Sequence, residues 1–169
     1  MYYLSKFKSS QKRPPRPSFD QIIWASMGGL LSIGSIAYIT QKMHTPFIIA
    51  PFGATCYLLF SVSESPFSQP RSVIGGYLLA SILGILFIHQ LGISWWVMTL
   101  STVLSISLMQ LTHTMHPPAA GMPLLLMLTK QMNWHYIFSP VLTGTLTMVG
   151  IALLFNNLRR EGQYPKYWF

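Results

Sequence analysis

Apolar residues run in long blocks along the chain, and charged residues interrupt them rarely. Between Asp20 and Lys42 lie 21 uncharged residues, and between Lys42 and Glu64 another 21. The interval from Arg71 to Lys130 holds 58, and that from Lys130 to Arg159 holds 28. A helix that crosses a bilayer needs roughly 20 residues. The four blocks therefore predict about one, one, three and one crossings. The segments fall at about residues 22–40, 47–63, 72–89, 95–112, 116–129 and 136–156. Gly28, Gly29, Ser32, Gly34 and Ser35 give the first a face of small residues, and Gly75, Gly76 and Gly84 do the same for the third. Such faces let membrane helices approach closely. Trp95 and Trp96 stand where an aromatic belt is expected. Pro140, near the start of the last segment, is tolerable in a first turn.

Two of the six segments are interrupted. One contains Ala50-Pro51-Phe52-Gly53-Ala54-Thr55, the other His116-Pro117-Pro118-Ala119-Ala120-Gly121. Proline lacks an N–H and clashes with the preceding turn, so neither segment is predicted as one straight helix. In hydrocarbon, irregular backbone survives only where protein or a water-filled cavity covers it. The breaks are thus where a site is expected. A spacing of 66 relates them: Pro51, Ala54, Leu58 and Leu59 match Pro117, Ala120, Leu124 and Leu125. Ser35, Met43 and Gly84 match Ser101, Met109 and Gly150 at the same spacing. Each half reads as span, broken span, span, and three crossings per half invert one half relative to the other. Broken helices in that architecture meet near the midplane around a substrate. The predicted fold class is an all-α membrane protein. It is a bundle of four to six transmembrane segments, two of them Pro-broken or re-entrant, with an inverted repeat. Four full spans would make the two broken segments re-entrant hairpins; six would make them crossings.

Composition agrees with a membrane class. Apolar residues make up 51% and charged residues 8%, against about 25% charged in an ordinary soluble domain. Asp20, Glu64 and Glu161 are the only acids, and the formal net charge is +8. Position argues against nucleic acid as the reason for that charge. Lys6, Lys8, Lys12, Arg13 and Arg16 precede the first apolar block, and Arg159, Arg160 and Lys166 follow the last. Flanking charge of this kind predicts both termini in the cytoplasm, here of a bacterial cell with the bundle in the inner membrane. The division is a basic, Pro-rich tail at 1–19, a transmembrane domain at 20–158 and a C-terminal tail at 159–169. The basic start, broken by Pro14-Pro15-Arg16-Pro17, does not read as a signal peptide. Cys56 is the single cysteine, which excludes an intrachain disulfide and a thiolate cluster. No cofactor is expected.

The candidate chemistry gathers at the breaks. Gly53-Ala54-Thr55 and Ala119-Ala120-Gly121 read as the N-termini of half-helices, whose free N–H groups and partial positive charge favour a small anion. Gly and Ala let a ligand come close to the backbone. His116 and Pro117 adjoin the second break, and His116 could donate to an anion or carry a proton with it. The alternative is that His116 ties down carbonyls around Pro117-Pro118. His113, three residues earlier, could share its face; without a carboxylate or thiolate beside them the two do not predict a metal. Glu64 and Arg71 bracket the loop Pro66–Pro70. They read as a charge pair closing it, or as an anion-attracting Arg71 at a pore mouth held by Glu64. The expected substrate set is therefore His116, Pro117, Ala119, Ala120, Gly121, Gly53, Ala54, Thr55 and Arg71, with His113, His116 and Glu64 as gate or proton relay. His44, His89 and His135 are expected at the interfaces. A nucleophile–base set for an enzyme is missing. The other class left open is a non-transporting scaffold or sensor module. Small-residue faces on a chain this short also predict a homo-oligomer in the lipid bilayer.

At these residues the sequence resembles the HPP family of small integral membrane proteins, named for the motif His116-Pro117-Pro118. Ala50-Pro51-Phe52-Gly53-Ala54, Glu64-Ser65-Pro66, Gln69-Pro70-Arg71 and Ile74-Gly75-Gly76 support the resemblance, as does the continuation Ala119-Ala120-Gly121. It covers about residues 19–155. The resemblance implies four spanning helices and, from relatives in chloroplasts and cyanobacteria, transport of nitrite. It also implies that a C-terminal CBS-type domain, present in some members, is not expected within these 169 residues.

Overall fold

The computed structural model describes residues 7, 13, 15–43, 47–159 and 162–168, and these contain helices and no strand. His44, the basic residues Lys6, Lys8 and Lys12, Arg160, Glu161 and most of the predicted 1–19 tail lie outside the described residues. Helix α1 is Phe19–Met43, α2 Pro51–Ser61, α3 Pro70–Leu91 and α4 Trp95–Leu111. A 3-10 turn at Pro117–Gly121 leads into α5, Met122–Leu128. A π-helical turn at Ile137–Leu142 leads into α6, Thr143–Asn156.

Local chemistry sets the boundaries. Ser18 and Gln21 cap α1 reciprocally: the Ser18 N–H donates to Gln21 Oε1 at 2.9 Å, and the Gln21 N–H to Ser18 Oγ at 3.3 Å. Pro51 and Pro70 open α2 and α3, where a missing N–H costs nothing. Gly92, at φ 74°, stops α3 in a conformation that glycine adopts without strain. Pro140 is not absorbed in a regular first turn. Ser139 before it is extended (φ −138°, ψ 114°), and the turn around the pair is π-helical.

Phe19–Met43, Pro70–Leu91 and Ile137–Asn156 are long and apolar enough to cross a membrane. At 17 residues, α4 is about 25 Å long. By contrast α2 has 11 residues and α5 seven. The segments that contain them nevertheless run from one end of the bundle to the other. The proximal end gathers the start of α1 and the ends of α2, α4 and α6. Trp24 stacks on Phe155 with ring centroids 4.3 Å apart, and Asn156 Nδ2 donates to the Leu59 carbonyl at 3.0 Å. There the Arg71 guanidinium at the start of α3 donates to the Thr112 carbonyl at the end of α4. At the distal end His89 Nε2 lies 2.8 Å from the Met132 carbonyl oxygen, and its ring stacks on Trp134. Arg71 and His89 are roughly 27 Å apart along α3. The chain from Thr112 to Met132 covers that distance, so the second broken segment is a crossing and not a hairpin. The first runs the opposite way: the Phe47 N–H donates to Thr40 Oγ1 near the end of α1, and Ser68 Oγ, next to α3, donates to the Leu58 carbonyl. The chain passes along the bundle six times, two of the passes being part irregular or 3-10 and part helix, and three of the passes hold helices long and apolar enough to cross a membrane.

The repeat is visible in which elements touch. Helix α1 packs on α2 as α4 packs on the 117–128 segment, and α1 on α6 as α4 on α3. Helix α3 touches the 117–128 segment as α6 touches α2. The two self-paired contacts, α3 with α6 and α2 with the 3-10 turn, are also present. Phe52, Tyr77, Met122, Leu126 and Met148 are fully buried between these elements.

Candidate functional site

The two breaks meet inside the bundle. Thr55, one turn into α2, is buried with its Oγ1 2.8 Å from Tyr77 Oη and 2.8 Å from His116 Nε2. His116 is 1% exposed. Its Nδ1 lies 2.7 Å from the Phe67 carbonyl oxygen. A carbonyl can only accept, so Nδ1 carries the hydrogen and a neutral ring accepts at Nε2 from the Thr55 hydroxyl. The Tyr77 hydroxyl then donates to Thr55. Tyr77 is held in turn by its neighbours: its ring meets Phe52 edge-on at 5.5 Å and lies 5.3 Å from the His116 ring. Gly76 makes the approach possible. A Cβ on it would lie 2.9 Å from the Thr114 carbonyl oxygen and 3.0 Å from His116 Cβ. One motif histidine thus joins α2, the 62–69 loop, α3 and the second break.

The free N–H groups expected at the half-helix starts are already used. Pro117 and Pro118 have none to offer, and the Ala119 N–H donates to the His116 carbonyl at 2.9 Å. At the first break the Phe52 and Gly53 N–H groups donate to the Ile49 and Ala50 carbonyls. Tight turns at both prolines cap the helix starts from within. The remaining residues of the expected set divide by burial: Ala119 is buried, Ala120 and Gly121 are half-buried, and Gly53, Ala54 and Pro117 are exposed.

The family model for the HPP transmembrane region matches residues 14–165, nearly all of the described bundle. The chain belongs to the HPP family. It is similar to two transmembrane proteins of Dictyostelium discoideum. One is 33% identical over 187 residues, which cover 100% of this chain and 65% of that protein. The other is 30% identical over 178 residues, covering 99% of this chain and 57% of that protein. The chain thus spans under two thirds of the length of either relative. No solved structure matches it significantly.

The HPP motif histidine is not joined by His113. Helix α4 ends at Leu111, and His113 sits at φ 55°, in the left-handed turn that closes it. Residues 113–116 are therefore not helical, and the spacing of three does not put both rings on one face. His113 is exposed and lines a cavity of about 450 Å³ at the proximal end with Pro66, Arg71, Ser72, Met115 and Tyr167. The charge pair expected between Glu64 and Arg71 does not form. Glu64 pairs with Lys166 at 2.9 Å, and Arg71 donates to the Thr112 carbonyl at 2.9 Å. The C-terminal segment supplies the competing cation by folding back on this end. The Tyr164 hydroxyl donates to the Ser68 carbonyl at 2.8 Å, and the Lys166 N–H to Gln69 Oε1 at 2.8 Å. Tyr77 and Tyr164 were not among the expected site residues. Tyr77 carried no local signal, because an aromatic in an apolar helix reads as packing.

Proposed function

We propose that this HPP protein carries a small inorganic anion across the membrane, with nitrite as the leading substrate. The observation that supports this best is the meeting of two discontinuous crossings, related by the repeat, at the buried Thr55–Tyr77–His116 cluster. Discontinuous segments that meet inside a bundle are the form transporters use to expose a binding position alternately to each side. An anion fits the charge. Among the described residues the acids are Asp20, in the first turn of α1, and Glu64, in the loop after α2, and a site for cations would be expected to hold carboxylates deep inside the crossings. Gly53 and Gly121, one at each break, have nothing within 4 Å of where a Cβ would stand. The backbone at both places is therefore open to the approach of a ligand.

The same cluster supports proton coupling through His116. A proton added at Nε2 would turn that hydrogen bond around, and the Thr55 hydroxyl would then donate to the Pro51 carbonyl, 3.3 Å away. Thr55 would accept from both Tyr77 and His116, so every group keeps a partner in either state. Uptake of nitrite by proteoliposomes, with and without a pH gradient, tests the reading. Absence of nitrite, nitrate and formate uptake by the wild-type protein would sink it.

A scaffold or sensor module is favoured by one fact: both nitrogens of His116 are already satisfied within the chain. His116→Gln separates the two. A carrier loses coupling to the pH gradient, while a scaffold loses assembly without any change in flux. The proximal end holds Arg16, Arg71, Arg159 and Lys166, so positive-inside bias supports cytoplasmic termini. A helical bundle is also the form expected of a bacterial inner membrane, where outer-membrane proteins are barrels.

A further inference from the structure

We infer that the proximal cavity is an oxyanion-binding vestibule that receives a small planar anion before it reaches the His116 cluster. This deepens the transport reading and rests on it for the direction of passage, though not for binding. The cavity adjoins the Phe67–His116 hydrogen bond. Its wall residues Pro66 and Met115 are the chain neighbours of the two bonded residues.

Arg71 is the group that recognises the anion. Its guanidinium is half-buried and held by a single hydrogen bond to the Thr112 carbonyl. A guanidinium has five N–H donors, so an edge remains for bidentate pairing with a planar oxyanion. No carboxylate competes for it among the described residues. Glu64, the nearest acid in sequence, is drawn away by Lys166. His113 faces the same space, and the Tyr167 ring on the folded-back C-terminal segment closes one wall. The ordinary alternative for an interfacial arginine is a carboxylate partner or open water, and Arg71 has a neutral carbonyl and a cavity instead.

Phenylglyoxal modification of the full chain in detergent, followed by peptide mass spectrometry, tests the site without reference to transport. At constant ionic strength, replacing chloride by nitrite should slow modification of Arg71 at least threefold. Arg13, Arg16 and Arg159 should react at unchanged rates. Equal rates at Arg71 in both salts would overturn the inference. So would protection that appears only with phosphatidylglycerol micelles, which would make the ligand a lipid headgroup, or a failure of Arg71 to react in either salt, which would mean the cavity is closed. In proteoliposomes, Arg71→Lys should raise the nitrite concentration for half-maximal uptake severalfold with little change in maximal rate. An equal fall in both, or neither changing, counts against a vestibule. If wild-type protein moves no anion while nitrite protects Arg71, the transport reading falls and the site stands.

Discussion

The two broken crossings occupy equivalent places in the repeat and are built differently. The first has one proline, an irregular approach at 47–49 and 11 residues of regular α-helix. The second has three prolines, a five-residue 3-10 turn and only seven residues of α-helix. The side chains differ more than the backbones. At the spacing of 66, His116 corresponds to Ala50, Thr55 to Gly121 and Tyr77 to Thr143. The buried cluster takes Thr55 and Tyr77 from one half and His116 from the other, and its equivalent positions form no second cluster. The repeat supplies a symmetric pair of interruptions, and the hydrogen-bonding chemistry is installed once across them.

That asymmetry makes the largest expected effect the loss of His116. His116→Ala orphans the Phe67 carbonyl and takes a partner from Thr55. At about 1–3 kcal/mol for each buried polar group left unpaired, the variant should lose roughly 2–5 kcal/mol. Ala50→His should change stability by less than about 0.5 kcal/mol, because position 50 is exposed. Thermal unfolding of the two variants in the same detergent checks this. Equal losses would mean that the two breaks are interchangeable and the cluster has no special standing. Thr55→Val comes next, at roughly 2 kcal/mol, since both Tyr77 and His116 lose a partner. Thr55→Ser keeps the hydroxyl and should recover most of that loss.

Glycines sharpen the comparison further. Gly76→Ala puts a methyl against the Thr114 carbonyl and His116. Overpacking of that kind costs about 1–3 kcal/mol. Gly53→Ala and Gly121→Ala enter open space and should leave unfolding within about 0.5 kcal/mol of wild type. Under the transport reading those two still lower uptake, because the methyl occupies the ligand's approach. Unchanged uptake in both would remove the breaks from the pathway.

The sequence made the crossings legible because charge is scarce and apolar blocks have the length a bilayer demands. The breaks were legible because proline states its effect on the backbone directly, and the spacing of 66 paired them. What joins the parts was not legible. His116 meets Phe67 through a backbone carbonyl, a group every residue carries, so no residue type announces it. Glu64 and Arg71 are seven positions apart and looked like partners. The choice between them was made by Lys166, which is distant in sequence and arrives because the C-terminal segment docks through Tyr164 on Ser68 and through the Lys166 N–H on Gln69. The spacing of His113 from His116 suggested a shared face only on the assumption of helix, and α4 ends before it.

The smallest effect concerns that docked segment, which touches one break and not the other. Tyr164 binds the carbonyl of Ser68, next to Phe67, so it steadies the loop that holds His116; Ala50 has no comparable tether. Tyr164→Phe removes a single hydroxyl and should cost about 0.5–1.5 kcal/mol. Its signature is a pH dependence. Burial holds the Tyr164 phenol above its ordinary pKa. The folded chain therefore keeps a proton that the unfolded chain gives up near pH 10. A group raised in this way contributes fully below the unfolded value, and the contribution falls as pH rises past it. Wild-type protein should lose stability above about pH 10, and Tyr164→Phe should lose less over the same interval. Hydrogen exchange locates the effect. Amides at 65–69 should open in alkali before those of α2. If both regions open together, the C-terminal segment steadies the whole proximal end, and the two crossings are tied to it equally.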